Sequence, residues 1–158
     1  MEYDASLRQH IVNLLTKAEA HADFESAVKD FPEHLRGVTP QGGDHSAWEF
    51  LEHIRYTQHD ILDFSTNPDY KESKWPDDYW PKKSAPLNDE AWEESIAAYR
   101  KDLKALCTLV QDKSTDLFAK IPHGDGQTIL REAMLTADHT SYHVGQIVLV
   151  RKLLGCWK

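Results

Sequence analysis

The stretch NDEAWEESIAAYRKDLKALCTLV, residues 88–110, decides the fold. Trp92, Ile96, Tyr99, Leu103, Leu106 and Val110 fall at i, i+4, i+7, i+11, i+14 and i+18, the spacing of one apolar stripe along an α-helix. Asn88 stands where an N-cap belongs, with a side-chain oxygen to accept from an orphan N–H of the first turn. A stripe this regular needs other apolar faces to pack on, because tertiary packing supplies most of a helix's stability.

The flanking segments provide such faces. Leu7, Ile11, Leu14, Leu15, Ala18 and Ala22 line a helix expected over about 2–29, ending near Phe31-Pro32 because a residue before proline is pushed out of the α region. Gly37, Pro40, Gly42 and Gly43 mark a loop. Asp44 is the expected cap of a second helix reaching about Phe64, with Trp48, Leu51, Ile54, Ile61, Leu62 and Phe64 as its apolar residues. Residues 65–87 read as a long irregular connection holding Pro68, Pro76, Pro81 and Pro86, with Trp75, Tyr79 and Trp80 among them. A second connection, 114–126, is expected to hold a short helical turn at Leu117–Lys120. The last helix runs from about Thr128 to Leu154 and stops at Gly155. With no strand pair or repeat in the chain, the expectation is an all-α four-helix bundle, one domain over 1–158, with its long loop between helices 2 and 3.

The charge balance excludes some partners. Eighteen basic against 26 acidic side chains give −8, a poor surface for gripping nucleic acid or an anionic membrane. No run approaches the roughly 20 apolar residues of a membrane span. Met1–Ala5 carries no basic or apolar leader pattern, so the expected compartment is the cytoplasm. Cys107 and Cys156 form no CxxC and are expected to be reduced thiols.

Chemistry points to the histidines, nine in all. His139 and His143 stand at i and i+4 on the last helix, one turn apart on one face. Imidazoles so placed can take adjacent corners of one metal's shell. They can equally be core residues bonded to neighbours, so the pair alone decides nothing. Three features favour a ligand role. Glu132, Thr136, His139, His143 and Gln146 form a polar stripe among apolar neighbours, costly to bury unless it lines a pocket or ligates something. His53 sits mid-helix between apolar residues on the second helix, where a bundle can turn it to the same interior as a third ligand. Gly145 would let another element approach the helix closely. A carboxylate di-iron centre needs Glu-x-x-His, and no histidine here has a glutamate three residues before it. His-Glu-x-x-His is absent too.

The segment Asp44-His-Ser-Ala-Trp48-Glu-Phe-Leu-Glu-His53, followed about ninety residues later by His139-x-x-x-His143-x-Gly145-Gln146, resembles the DinB-like (DinB/YfiT) superfamily over essentially the whole chain. Trp75-Pro-x-x-Tyr79-Trp80-Pro and Leu154-Gly155 resemble one branch of it. The resemblance implies a four-helix bundle with a divalent metal on three histidines, which fall here on His53, His139 and His143. It also implies a metal-dependent enzyme, since characterised relatives include thiol-dependent S-transferases and a mycothiol-dependent isomerase.

Three neutral imidazoles leave the metal's charge in place and a position open to water or substrate, as in a catalytic site. Together with that open position, the resemblance implies a thiol-dependent transferase or a hydrolase acting on a small molecule, with a low-molecular-weight thiol as a partner. The alternative is a non-catalytic metal-binding or stress-related bundle that works by interaction. Zinc or nickel suits the ligands best, with iron or manganese within their range. Glu132 is the candidate catalytic base or acceptor to a ligand, and also a first-turn acid favoured by the helix dipole. Asp60, two turns after His53, carries the same two readings. Gln146 either orients a ligand or bonds across helices, and Tyr142 belongs either to core or to pocket. His45 and His59 are read as surface or capping residues, and His10, His21, His34 and His123 as solvated. Trp75, Tyr79 and Trp80 either wall the open side of the site or cover the bundle, and cover is expected. Pairing into a homodimer is expected, with Trp92 or Trp157 as interface anchors.

Overall fold

The structure, a computed structural model, describes residues 2–158. Five α-helices follow one another: α1 (Glu2–Thr16), α2 (Phe24–Val28), α3 (Ala47–Thr66), α4 (Asp89–Gln111) and α5 (Ile129–Leu153), with a 3-10 turn at Glu33–Leu35. Among the described residues there is no strand, only an isolated bridge between Lys120 and Thr128. The all-α bundle expected from the periodicity is what forms.

Side-chain caps set where the long helices begin. Asn88 Oδ1 accepts from Ala91 N at 2.9 Å and starts α4, as expected. Thr128 Oγ1 accepts from Arg131 N and starts α5. The cap of α3 is Ser46 rather than Asp44. Ser46 Oγ accepts from Glu49 N while the Glu49 carboxylate accepts from Ser46 N, a reciprocal box that requires the glutamate three residues on. Asp44 has Ala47 at that place. α5 ends as expected: Gly155 takes φ +72°, and Cys156 N donates to Arg151 O at 2.9 Å, closing the helix through the left-handed residue that glycine tolerates best.

The single helix expected over 2–29 is two pieces. α1 stops at Thr16, and Asp23 starts α2 by accepting from Ser26 N at 2.8 Å. Between Thr16 and Asp23 the only apolar residues are alanines, too small to hold a continuous helix on the core. The break brings Phe24 inward to stack on Tyr99, ring centroids 3.7 Å apart. Ala18 and Leu14, read as part of a buried face, are exposed.

Two buried arginines tie helix ends to distant parts of the chain. Arg8 on α1 donates to the carbonyls of Val110, Asp112 and Thr115 at 2.7–2.9 Å, closing the C-terminal end of α4. Arg151 on α5 donates to Ala27 O and Lys29 O at the end of α2. Each supplies charged donors to carbonyls that a helix end leaves unpaired.

α3 packs along both α4 and α5, and α1 packs on the same two helices. Trp92 is a core residue, 1% exposed, beside Phe31 and Trp48 and under the Arg36 guanidinium. It is therefore no interface anchor. Trp157 is half-buried against Arg151. Residues 117–120 form turns rather than a helical turn, held by Leu130 N to Leu117 O and Ile121 N to Gln127 O. The connection 67–88 has neither helix nor strand, and Asp60 on α3 pins it by accepting from the hydroxyls of Tyr70 and Tyr79 at 3.0 and 2.7 Å. That pin lays the aromatic segment 75–80 across the α3–α5 junction.

Candidate metal centre

Where α3 faces α5, His53, His139 and His143 converge. One ring nitrogen from each lies within 4.8 Å of the other two. The Nε2 atoms of His53 and His139 are 3.0 Å apart. Two nitrogens ligating one tetrahedral zinc at 2.0–2.1 Å would stand about 3.3 Å apart. The ring planes meet at steep angles, 61–85°.

The far side of two rings is fixed. His53 Nδ1 donates to Tyr79 O at 2.9 Å, since a carbonyl can only accept. That bond places the proton on Nδ1 and leaves the Nε2 lone pair turned to the cluster. His143 Nδ1 pairs in the same way with Gln146 Oε1 at 2.5 Å. Outer bonds of this kind hold ring orientation and tautomer for ligation. Gln146 thus orients a member of the cluster on its own helix.

Electrostatics keep the rings neutral. Burial, then the neighbouring His143 and His53, pushes His139 down to about 3. Burial, then His53, pushes His143 down to about 4. Burial also lowers His53, against the opposing pull of its bond to Tyr79. Three neutral imidazoles, two of them held with a ring lone pair turned to the cluster, and no carboxylate among them fit a divalent cation, and the cluster is the one such group of three among the described residues.

The expectation that Trp75, Tyr79 and Trp80 merely cover the bundle needs correction. Trp80 lies flat on His53 and, with its other neighbour His45, makes a three-ring stack: centroids are 4.0 Å apart to His53 and 4.1 Å to His45. Tyr79 supplies the carbonyl behind His53, and Trp75 stands at the rim, centroid 6.3 Å from His53. His45, read as surface, is half-buried in this wall. The signal available in sequence was the cluster of large aromatics inside a proline-rich connection.

Other residues fall as follows. Asp60 holds the connection through Tyr70, Tyr79 and Ser73. Glu132 is 2% exposed and pairs with Arg131 Nη1 at 2.7 Å, not with any of the three imidazoles. It borders a polar cavity of ≈ 420 Å³ together with Asp60, Tyr79 and Arg131, and none of the three imidazoles lines that cavity. Tyr142 is exposed, its ring edge-on to His143. No atom lies within 4 Å of a Cβ built on Gly145, so no element makes the close approach expected there. His59 bonds Asp102, and His123 bonds Phe64 O. Cys107 and Cys156 are free thiols. No helix is long and apolar enough to cross a membrane.

A family model described as the DinB superfamily matches residues 18–147. No curated protein and no solved structure matches the chain.

Proposed function

We propose a function for a chain that belongs to the DinB superfamily: a metal-dependent enzyme that holds a divalent ion on His53, His139 and His143 and transfers or hydrolyses a small-molecule group. The observation that carries this reading is the tautomer lock. Tyr79 O and Gln146 Oε1 take the Nδ1 protons of His53 and His143, which aims both remaining lone pairs at the point that His139 also faces.

When bound, the ion supplies Lewis-acid stabilisation of an anionic ligand or of a water-derived nucleophile. The rest is this chain's work. Three neutral donors leave a cation's charge uncompensated, so the site favours an anionic fourth ligand, and a thiolate is one. Trp80 and Phe50 set aromatic rings against His53 and His143, an apolar surrounding in which charge interactions strengthen. Glu132, buried at the edge of a cavity that Tyr79 also lines, is the candidate proton acceptor. The preferred reaction is attack of a low-molecular-weight thiol on an electrophile, and ester or amide hydrolysis is its neighbour. Zinc or nickel suits the donor set best, with iron or manganese also compatible.

The test is turnover by zinc- or nickel-reconstituted protein. Glutathione or mycothiol consumption with an alkyl or epoxide electrophile is expected, and is expected to vanish in His139→Ala. Full metal loading with no turnover on thiols or esters would favour the rival reading, a non-catalytic metal-binding bundle that works through a surface. The exposed apolar face of α5 is the feature on which that rival stands.

A further inference from the structure

One face of α5 has no partner in the fold. Met134, Asp138, Tyr142, Gly145, Leu149 and Leu153 recur at i, i+4, i+8, i+11, i+15 and i+19, and all six are exposed. A helix at the surface of a bundle normally turns charged and polar groups outward. Here four of the six are large apolar side chains, each more than half exposed. They are four of the ten large apolar residues exposed among the described residues, gathered on one stripe of one helix. A patch of that kind marks an interaction site.

We propose that this face seats the same face of a second copy, the two α5 helices crossing antiparallel about a two-fold axis at Gly145. In such an isologous contact, residues equally far before and after the axis meet across it. Seven residues before Gly145 is Asp138, and seven after is Lys152. Both are exposed, and neither has an ion-pair partner within its own chain among the described residues. Seven residues span about 10.5 Å and fall only about 20° short of two full turns, so each charge stays on the contact face. The pairing gives two ion pairs, Asp138 with the partner's Lys152 and the reverse. Closer in, Tyr142 meets the partner's Val148, which is half-buried.

The axis position has the right residue. Nothing lies within 4 Å of a Cβ on Gly145, so the fold of one copy gives no reason for glycine in mid-helix, where it weakens the helix. A second backbone crossing there does. This charge pattern is self-complementary about the glycine, which a different partner would not require, and that selects a second copy as the occupant. The contact also reaches the histidine cluster. Tyr142 stands edge-on to His143, centroids 4.9 Å apart, so pairing would fix a ring that flanks the site.

Sedimentation of the full, untagged chain over about 1 to 100 µM tests this. The wild type is expected to dimerise in that range. Asp138→Lys and Lys152→Asp should each weaken the dimer about tenfold or more, by setting like charges opposite one another twice. The double reversal should return the dissociation constant to within about threefold of wild type. Gly145→Leu should abolish the dimer while the far-ultraviolet spectrum keeps its helical signal, because the new side chain meets nothing in its own copy. A wild type that stays monomeric, charge reversals without effect, or a double reversal no better than the single ones would overturn the proposal.

Discussion

Trp80 lies flat against His53, the two ring planes 3° from parallel with centroids 4.0 Å apart. With the Tyr79 carbonyl behind Nδ1, the stack leaves His53 one orientation. The connection 67–88 is thus a structural part of the histidine cluster. Trp80→Ala should lower metal affinity about tenfold or more, the usual cost of losing an outer support of a ligand, and leave helical content unchanged. Trp80→Phe should keep most of the affinity. Competition against a chromophoric chelator measures both, and an unchanged affinity in Trp80→Ala would remove the connection from the site.

Asp60 holds that connection down through three hydroxyls. Burial, then the hydrogen bonds to Asp60 and its charge, push the Tyr70 and Tyr79 hydroxyls up from their ordinary values, so both stay protonated donors. Asp60→Ala should cost about 2 kcal/mol, the scale of hydrogen bonds to a charged acceptor. It should also open residues 67–88 to protease. Urea unfolding and limited proteolysis read the two effects separately.

Acid should destabilise the metal-free protein over a defined interval. Unfolded histidine titrates near 6.5, whereas folded His139 and His143 titrate at about 3 and about 4. Between those values the unfolded chain binds protons that the folded chain refuses. Stability is therefore full above about 6.5 and falls as pH drops toward 4. The urea midpoint should decline from pH 7 to pH 5, and less steeply in His139→Gln. A midpoint that rises on acidification, or an equal slope in the variant, contradicts the burial of neutral imidazoles.

Arg8 ties α1 to the end of α4 with three bonds to backbone carbonyls. Arg8→Met keeps the apolar stem and removes the charged donors. A loss of about 3 kcal/mol is expected, because buried carbonyls are left unpaired. Chemical denaturation checks it, and a loss under about 1 kcal/mol would mean that water replaces the arginine.

Much of this was legible in the sequence, for identifiable reasons. The α4 stripe, the cap at Asn88 and the start of the last helix near Thr128 are local signals, and local physics decided them. His139 and His143 share a face by helical spacing alone. His53 needed the fold as well, and the resemblance of its flanking residues supplied that. The break after Thr16 was missed because alanines satisfy a helical pattern without showing whether they pack. The Trp80 stack was missed because nothing in the proline-rich connection states where it docks. The docking depends on a carboxylate, Asp60, on a different element. Ser46 was passed over for Asp44, although the glutamate three residues on was there to choose between them. Gly145 was read as room for a neighbour, which its own chain does not provide.

The most direct test is metal stoichiometry. Untagged protein, reconstituted with zinc or nickel and desalted, should carry about one equivalent per chain by elemental analysis, and His139→Ala should carry almost none while keeping its helical spectrum. Less than about a tenth of an equivalent in the wild type, or an unchanged content in His139→Ala, would contradict the account.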